Sequence, residues 1–153
     1  MPFDLLSALP QLLPPAIAWV EEQSRRAQQE GEPLDATGVA LARRVGVKDP
    51  DRIRTKLCDS LPLPDNAVLR QVALKTGLLG PDSFGLTLGH SIFIVRGHMS
   101  PRFLSHECRH VHQYEIYGSI AAFLPVYLEQ IATVGYLGAP LERDARAHEI
   151  ETV

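Results

Sequence analysis

Three residues, His106, Glu107 and His110, have the types and spacing for metal chemistry. They lie in the stretch Ser105-His106-Glu107-Cys108-Arg109-His110-Val111-His112-Gln113. Residues four apart on a helix share a face, so His106 and His110 can point two imidazoles at one metal ion. Glu107 then sits beside the ion rather than on it. There its carboxylate can take a proton from a metal-activated water and later deliver one to a leaving amine.

Two ligands are too few, because a catalytic zinc takes three protein ligands and keeps a fourth place open. The third must come from downstream, and three glutamates compete. Glu142 falls in the first turn of a helix opened by Pro140, and Ala145 one turn on is small enough for close helix approach. Glu149 lies two turns from Glu142 on the same stripe, either as a carboxylate behind a ligand or as a ligand itself. Glu129 contends by sequence distance, in surroundings typical of an ordinary amphipathic helix. Two imidazoles and a carboxylate suit zinc. An oxyanion donor is also needed; Tyr117, Tyr136 and His112 are candidates, and spacing does not choose among them. His112 points away from the His106/His110 face. His90 and His98 read as loop residues near the cleft, and His148 as a solvated side chain.

A five-residue pattern is weak alone, so its setting matters. Ser100-Pro101 is a strong helix start, with Ser as N-cap and Pro at the first helical position. The helix runs to about Tyr117, where Gly118 stops it. Leu104, Cys108, Val111 and Glu115 make one stripe, for the core. His106, His110, Gln113 and Tyr117 make the functional one.

Upstream, residues 3–9 predict a short apolar turn or helix, punctuated by Pro14-Pro15. A helix from Pro15 or Ala16 to Glu30 follows, stopped by Gly31. Asp35 or Thr37 caps a second helix to Val45. Asp49-Pro50-Asp51 makes a turn. Ile53, Thr55 and Leu57 alternate with Arg52, Arg54 and Lys56, as in a half-exposed strand. Asp65 or Asn66 caps a helix to Thr76, with Gly77 ending it. Phe84, Leu86 and Leu88 alternate in a strand, and Ser91–Val95 is strand-like. The two form either a hairpin or one bent edge strand. Downstream, a helix covers about 120–133 with Pro125 as its kink or true start, residues 135–138 form a loop, and a last helix spans 140–151.

The 153 residues are ordinary for one domain, and 45% hydrophobic content fits a globular chain. A net charge of -3 with dispersed basic residues argues against nucleic acid. Cys58 and Cys108 form no CxxC and no disulfide framework, and Cys108 reads as a packed thiol in a reducing setting. No basic segment opens the chain, and Pro10, Pro14 and Pro15 interrupt its first apolar run. No signal peptide is therefore expected, and the expected location is cytoplasmic. Residues 116–139 read as buried helix and loop rather than a membrane span.

The segments Gly85-Leu-Thr-Leu-Gly-His-Ser-Ile-Phe-Ile, Leu104-Ser-His-Glu-Cys-Arg-His-Val-His-Gln-Tyr and Ala139-Pro-Leu-Glu-Arg-Asp-Ala-Arg resemble the minimal gluzincin metallopeptidases. The similarity is strongest to the small bacterial domain of phage-tail-like injection clusters and toxin polyproteins. In that domain a T-x-G strand precedes an HExxH-x-x-Q helix, and a P-x-E-x-x-A helix brings a glutamate ligand. The resemblance implies zinc on His106, His110 and Glu142, with Glu107 as catalytic base and Gln113 as the motif glutamine. It covers about residues 84–150, and Cys108-Arg109 and His112 depart from the usual pattern.

The expected architecture is α+β: a single domain, 1–153, with several helices packed on a small sheet, zincin-like. The HExxH helix faces a Glu-bearing C-terminal helix. Residues 1–83 form a helical and strand part, and 84–153 the metallopeptidase-like core. The expected function is zinc-dependent hydrolysis of peptide bonds in a peptide or protein substrate, bound by strand addition near Leu86–Val95. The competing expectation is a catalytically inactive, metal-stabilised module that binds a partner protein.

Overall fold

The computed structural model describes residues 4–152. It has the α+β architecture expected: six α-helices and one four-stranded mixed sheet. The elements are α1 (Leu5–Glu30), β1 (Glu32–Pro33), α2 (Ala36–Arg44), β2 (Arg54–Cys58), α3 (Ala67–Thr76), β3 (Gly85–Leu88), β4 (Ser91–Val95), α4 (Pro101–Tyr117), α5 (Ile120–Gly138) and α6 (Pro140–Ala147). A short 3-10 turn, Pro50–Arg52, occupies the predicted Asp49-Pro50-Asp51 turn.

The first helix differs from expectation. It starts at Leu5, capped by Asp4, and continues unbroken through Pro10, Pro14 and Pro15. Residue 3 of the predicted first turn lies outside the described residues. Each proline removes one intrahelical hydrogen bond, at about 3 kcal/mol in a helix interior. Leu9, Leu12, Ala16 and Val20 are buried on both sides of the interruption. Such burial contributes about 1.5–3 kcal/mol per large side chain, and this offsets much of the local cost.

The sheet order is β1-β2-β4-β3, with β2 and β4 parallel and the other pairs antiparallel. β3 and β4 are a hairpin turned at Gly89-His90, with Gly89 at φ +68°. That settles the hairpin against the bent-strand alternative. β2 forms where the alternation predicts, and Ile53 just before it is buried. Leu57, however, is 51% exposed. β1 reaches only as far as Thr55, so no strand flanks Leu57 on that edge.

The sheet separates two apolar clusters. Leu88 and Phe93 pack with α1, α3 and Leu124 of α5. Ile92 and Ile94 pack on the opposite face with Leu41, Leu104, Cys108 and Val111. Leu104, Cys108 and Val111 of the predicted core stripe of α4 are thus buried against the sheet, with Cys108 a packed free thiol, whereas Glu115 instead accepts from the Lys48 and Asp49 amides and pairs with His90. Ser100 Oγ accepts from the Phe103 amide at 3.1 Å, and Gly118 ends α4 at φ +93°.

α5 runs past the predicted end at 133 and breaks at Gly135, whose φ of 78° and ψ of 171° fit almost only glycine. It is less enclosed than expected, with Phe123, Leu124 and Ile131 as its buried residues. Among the described residues it is the one helix long and apolar enough to cross a membrane by length and composition. It packs against α1, α4 and α6. α6 stops at Ala147, so Glu149 lies in the segment after the helix rather than on it.

Candidate metal centre

α4 and α6 bring His106, His110 and Glu142 together, with one ligand atom from each within 4.8 Å of the others. His106 Nε2 lies 3.3 Å from Glu142 Oε1, and His110 Nε2 lies 3.0 Å from Glu142 Oε2. Donor atoms about 2.0–2.2 Å from a tetrahedral zinc stand about 3.3–3.6 Å apart. The observed separations fall within a few tenths of an ångström of that range.

The outer face of each ring is occupied. His106 Nδ1 donates to Glu149 Oε2 at 2.8 Å. His110 Nδ1 donates to Gln113 Oε1 at 2.8 Å, while Gln113 Nε2 donates to Leu141 O and Asp144 Oδ2, both at 2.9 Å. Both ring partners are oxygen acceptors, so each Nδ1 carries the proton. In a neutral ring the Nε2 lone pair then faces the Glu142 carboxylate. Lone pairs and an anion repel, so the arrangement calls for positive charge between them.

Glu142 sharpens the point. It is 2% exposed, and its Oε1 has no hydrogen-bond donor. Its Oε2 accepts from the Tyr127 hydroxyl at 2.7 Å. Without a metal the rings meet the demand by holding protons. For His110, burial disfavours the charged ring, but the Glu142 carboxylate outweighs it and lifts the pKa to about 9. His106 is raised too, with burial opposing and Glu142 and Glu107 prevailing. Glu142 is held far below the usual carboxylate range: burial would raise it, and the two imidazoles lower it by more.

Glu107 is buried beside the cluster, with Oε2 3.9 Å from His106 Nε2. Thr87 Oγ1 donates to Glu107 Oε1 at 2.9 Å, which leaves Oε2 facing the ligands. Thr87 and Gly85 sit on the β3 face that meets α4. A Cβ at Gly85 would stand 2.4 Å from Phe103 Cζ and 3.2 Å from Glu107 Cδ. Only glycine lets this edge strand come so close to Glu107.

The other candidates separate cleanly. Glu149 reaches His106 on the nitrogen turned away from the cluster and also accepts from Arg102 Nε at 2.8 Å. Glu129 is exposed and outside the cluster. His112 donates to Gly46 O, on the far side of α4. Tyr117 packs edge-on against Phe123. Tyr136 is the one oxyanion candidate at the site: it lines the cleft beside His106 and Glu107, and burial and then the Glu142 charge raise its hydroxyl pKa. His90 pairs with Glu115, His148 bonds Asp144 O, and His98 stacks on Phe84 at the cleft wall.

Sequence reasoning assigned no role to Tyr127 or Thr87. A tyrosine inside an apolar helix needs a partner for its hydroxyl when buried, and that signal pointed to Tyr127. Arg109, a departure from the related motif, bridges three elements. It donates to both oxygens of Asp144 on α6, at 2.8 and 3.2 Å, and to Val45 O after α2 at 2.7 Å.

A cleft of about 510 Å³ passes over His106 and Glu107 between residues 77–85 and 98–103. A second, apolar cavity of about 140 Å³ opens beside His110 and Glu142. No family model matches the chain, and neither a curated protein nor a solved structure matches it.

Proposed function

We propose that the chain is a zinc-dependent metallopeptidase of the gluzincin kind, with His106, His110 and Glu142 as ligands. The observation that carries this reading is the buried Glu142 carboxylate, whose Oε1 stands 3.3 Å from His106 Nε2 without a hydrogen-bond donor and whose Oε2 stands 3.0 Å from His110 Nε2. When bound there, zinc would polarise the scissile carbonyl and lower the pKa of the attacking water.

The chain's own residues supply the rest. Glu107 accepts the water's proton and returns one to the leaving amine. Thr87 fixes its carboxylate by holding Oε1. Tyr136, beside Glu107 in the cleft, donates to the developing oxyanion. β3 pairs with β4 on one side and is the terminal strand of the sheet, so its outer edge accepts an extended peptide backbone over the cleft.

The test compares wild type with Glu107→Ala for zinc content and peptide cleavage. The proposal expects zinc retained and cleavage lost. Glu142→Ala lowers zinc affinity far more than Glu129→Ala does; the reverse would displace Glu142 as ligand. A wild type without stoichiometric zinc sinks the proposal. Zinc uptake without cleavage of a broad peptide library favours the non-catalytic, metal-stabilised binding module instead.

A further inference from the structure

We infer that Arg109 and Asp144 are positioning residues for His110: they act through the Gln113 amide and set which ring nitrogen offers its lone pair to the metal. This rests on the metallopeptidase reading and adds to it the groups that fix the tautomer of one ligand.

A glutamine amide accepts through its oxygen and donates through its nitrogen, and a flip of the amide exchanges the two. Were Gln113 flipped, its nitrogen would face His110 Nδ1, which would then have to accept. The ring proton would sit on Nε2, and that nitrogen could not bind a metal. What holds the amide the other way is α6. Gln113 Nε2 donates to Leu141 O and to Asp144 Oδ2, both at 2.9 Å. A carbonyl and a carboxylate only accept, so the amide nitrogen must face them. Gln113 Oε1 is then left for His110 Nδ1, at 2.8 Å. The carboxylate is the firmer of the two anchors, because a hydrogen bond to an ionised acceptor is about twice as strong as a neutral one.

Arg109 holds that carboxylate in place. Its Nε and Nη2 fork onto Asp144 Oδ2 and Oδ1 at 2.8 and 3.2 Å. Its remaining nitrogen, Nη1, donates at 2.7 Å to the carbonyl of Val45, the C-cap of α2. A cation there also meets the negative end of the helix dipole. Gly46 makes room for the guanidinium: a Cβ at that position would stand 3.1 Å from Arg109 Nη1 and 2.9 Å from His112 Nδ1. Among the described residues, Arg109 bonds Asp144 and Val45 and no proposed ligand. Its influence on His110 therefore passes through Asp144 and Gln113.

The test is a double-mutant cycle read as zinc affinity by competition against a chelator. Arg109→Met should weaken zinc binding by about tenfold, the low end of the usual cost of losing an outer partner. Gln113→Met should weaken it at least as much. The double variant should match Gln113→Met alone to within about twofold. Arg109→Met combined with Glu149→Ala, which removes the partner of the other imidazole, should instead give additive losses. Arg109→Lys keeps the charge without the fork and should recover little of the affinity. Asp144→Asn should weaken zinc binding with the same lack of additivity toward Gln113→Met, and it covers the case in which Arg109→Met fails to fold. In zinc-loaded Arg109→Met, the Nδ1 proton of His110 should exchange with solvent faster than in wild type, while that of His106 keeps its rate. Additive losses from Arg109→Met and Gln113→Met, or equal changes at both imidazoles, would make Arg109 a general clamp between helices and overturn the inference. Unchanged zinc affinity in Arg109→Met overturns it too and leaves the metallopeptidase reading standing. A wild type without stoichiometric zinc overturns that reading and this role with it.

Discussion

Glu149 accepts a hydrogen bond from His106 Nδ1 at 2.8 Å across 43 residues of chain. The bond fixes the tautomer of His106 and turns its Nε2 toward Glu142. The segment after α6 thereby becomes part of the centre, and it is held there by Ile150 N donating to Ser105 Oγ at 2.8 Å.

Glu149→Ala should weaken zinc binding by about 10- to 100-fold, the usual cost of losing such an outer partner. Glu149→Gln keeps an acceptor oxygen and should lose less. Competition against a chelator of known affinity measures both. Equal affinity in wild type and Glu149→Ala would show that His106 needs no orienting partner.

Zinc affinity should rise with pH. Metal binding requires neutral imidazoles and displaces their protons. His110 holds its proton up to about 9 in the metal-free site, because Glu142 outweighs the effect of burial. Affinity therefore climbs from acidic pH toward about 9, by roughly tenfold per pH unit for each proton displaced. In metal-free protein the same shift acts on stability with the opposite sign. The folded pKa lies above the unfolded one, so the contribution is full below about 6.5 and fades as pH rises through about 9. Chelator competition between roughly pH 6 and 8 decides the first point; a flat profile contradicts it.

Gly85→Ala should damage the site without removing a ligand. The new Cβ would overlap Phe103 and crowd Glu107. Overpacking of this kind costs about 1–3 kcal/mol, which lowers Tm by about 2–12 °C in a chain of this size. Zinc stoichiometry should hold while kcat falls, because β3 and Glu107 are pushed apart. Calorimetry, metal analysis and cleavage kinetics on one preparation read all three. An unchanged Tm would mean that Phe103 turns away at no cost.

The parts of the centre that the chain announced were local. Ser100-Pro101 marks the start of α4 through cap chemistry confined to four residues, and the histidine spacing follows from helix geometry alone. The Asn66 cap and the Gly77 stop of α3 were equally readable. What escaped was set by tertiary contact. Three prolines argued for a break in α1, and burial against the sheet and α5 prevailed. The end of α6 at Ala147 was hidden because Glu149 kept the helical stripe while its partner was a distant histidine. Thr87 stood only as the threonine of a T-x-G strand, and nothing in its neighbourhood shows that Glu107 lies across from it.

The parallel pairing of β2 with β4 has a consequence for how the chain assembles. Thr55 pairs with Ile92 only after α3 and β3 have been looped out between them. Such non-local closure is slow relative to helix docking. The ligands and their outer partners, by contrast, all come from α4 through the segment after α6, a contiguous stretch with short connections. The proposed ligands belong to this contiguous helical stretch, and the strand whose Thr87 steadies Glu107 belongs to the sheet. Glu107 comes with the proposed ligands on α4, and only the Thr87 bond that holds its Oε1 waits for the sheet to close.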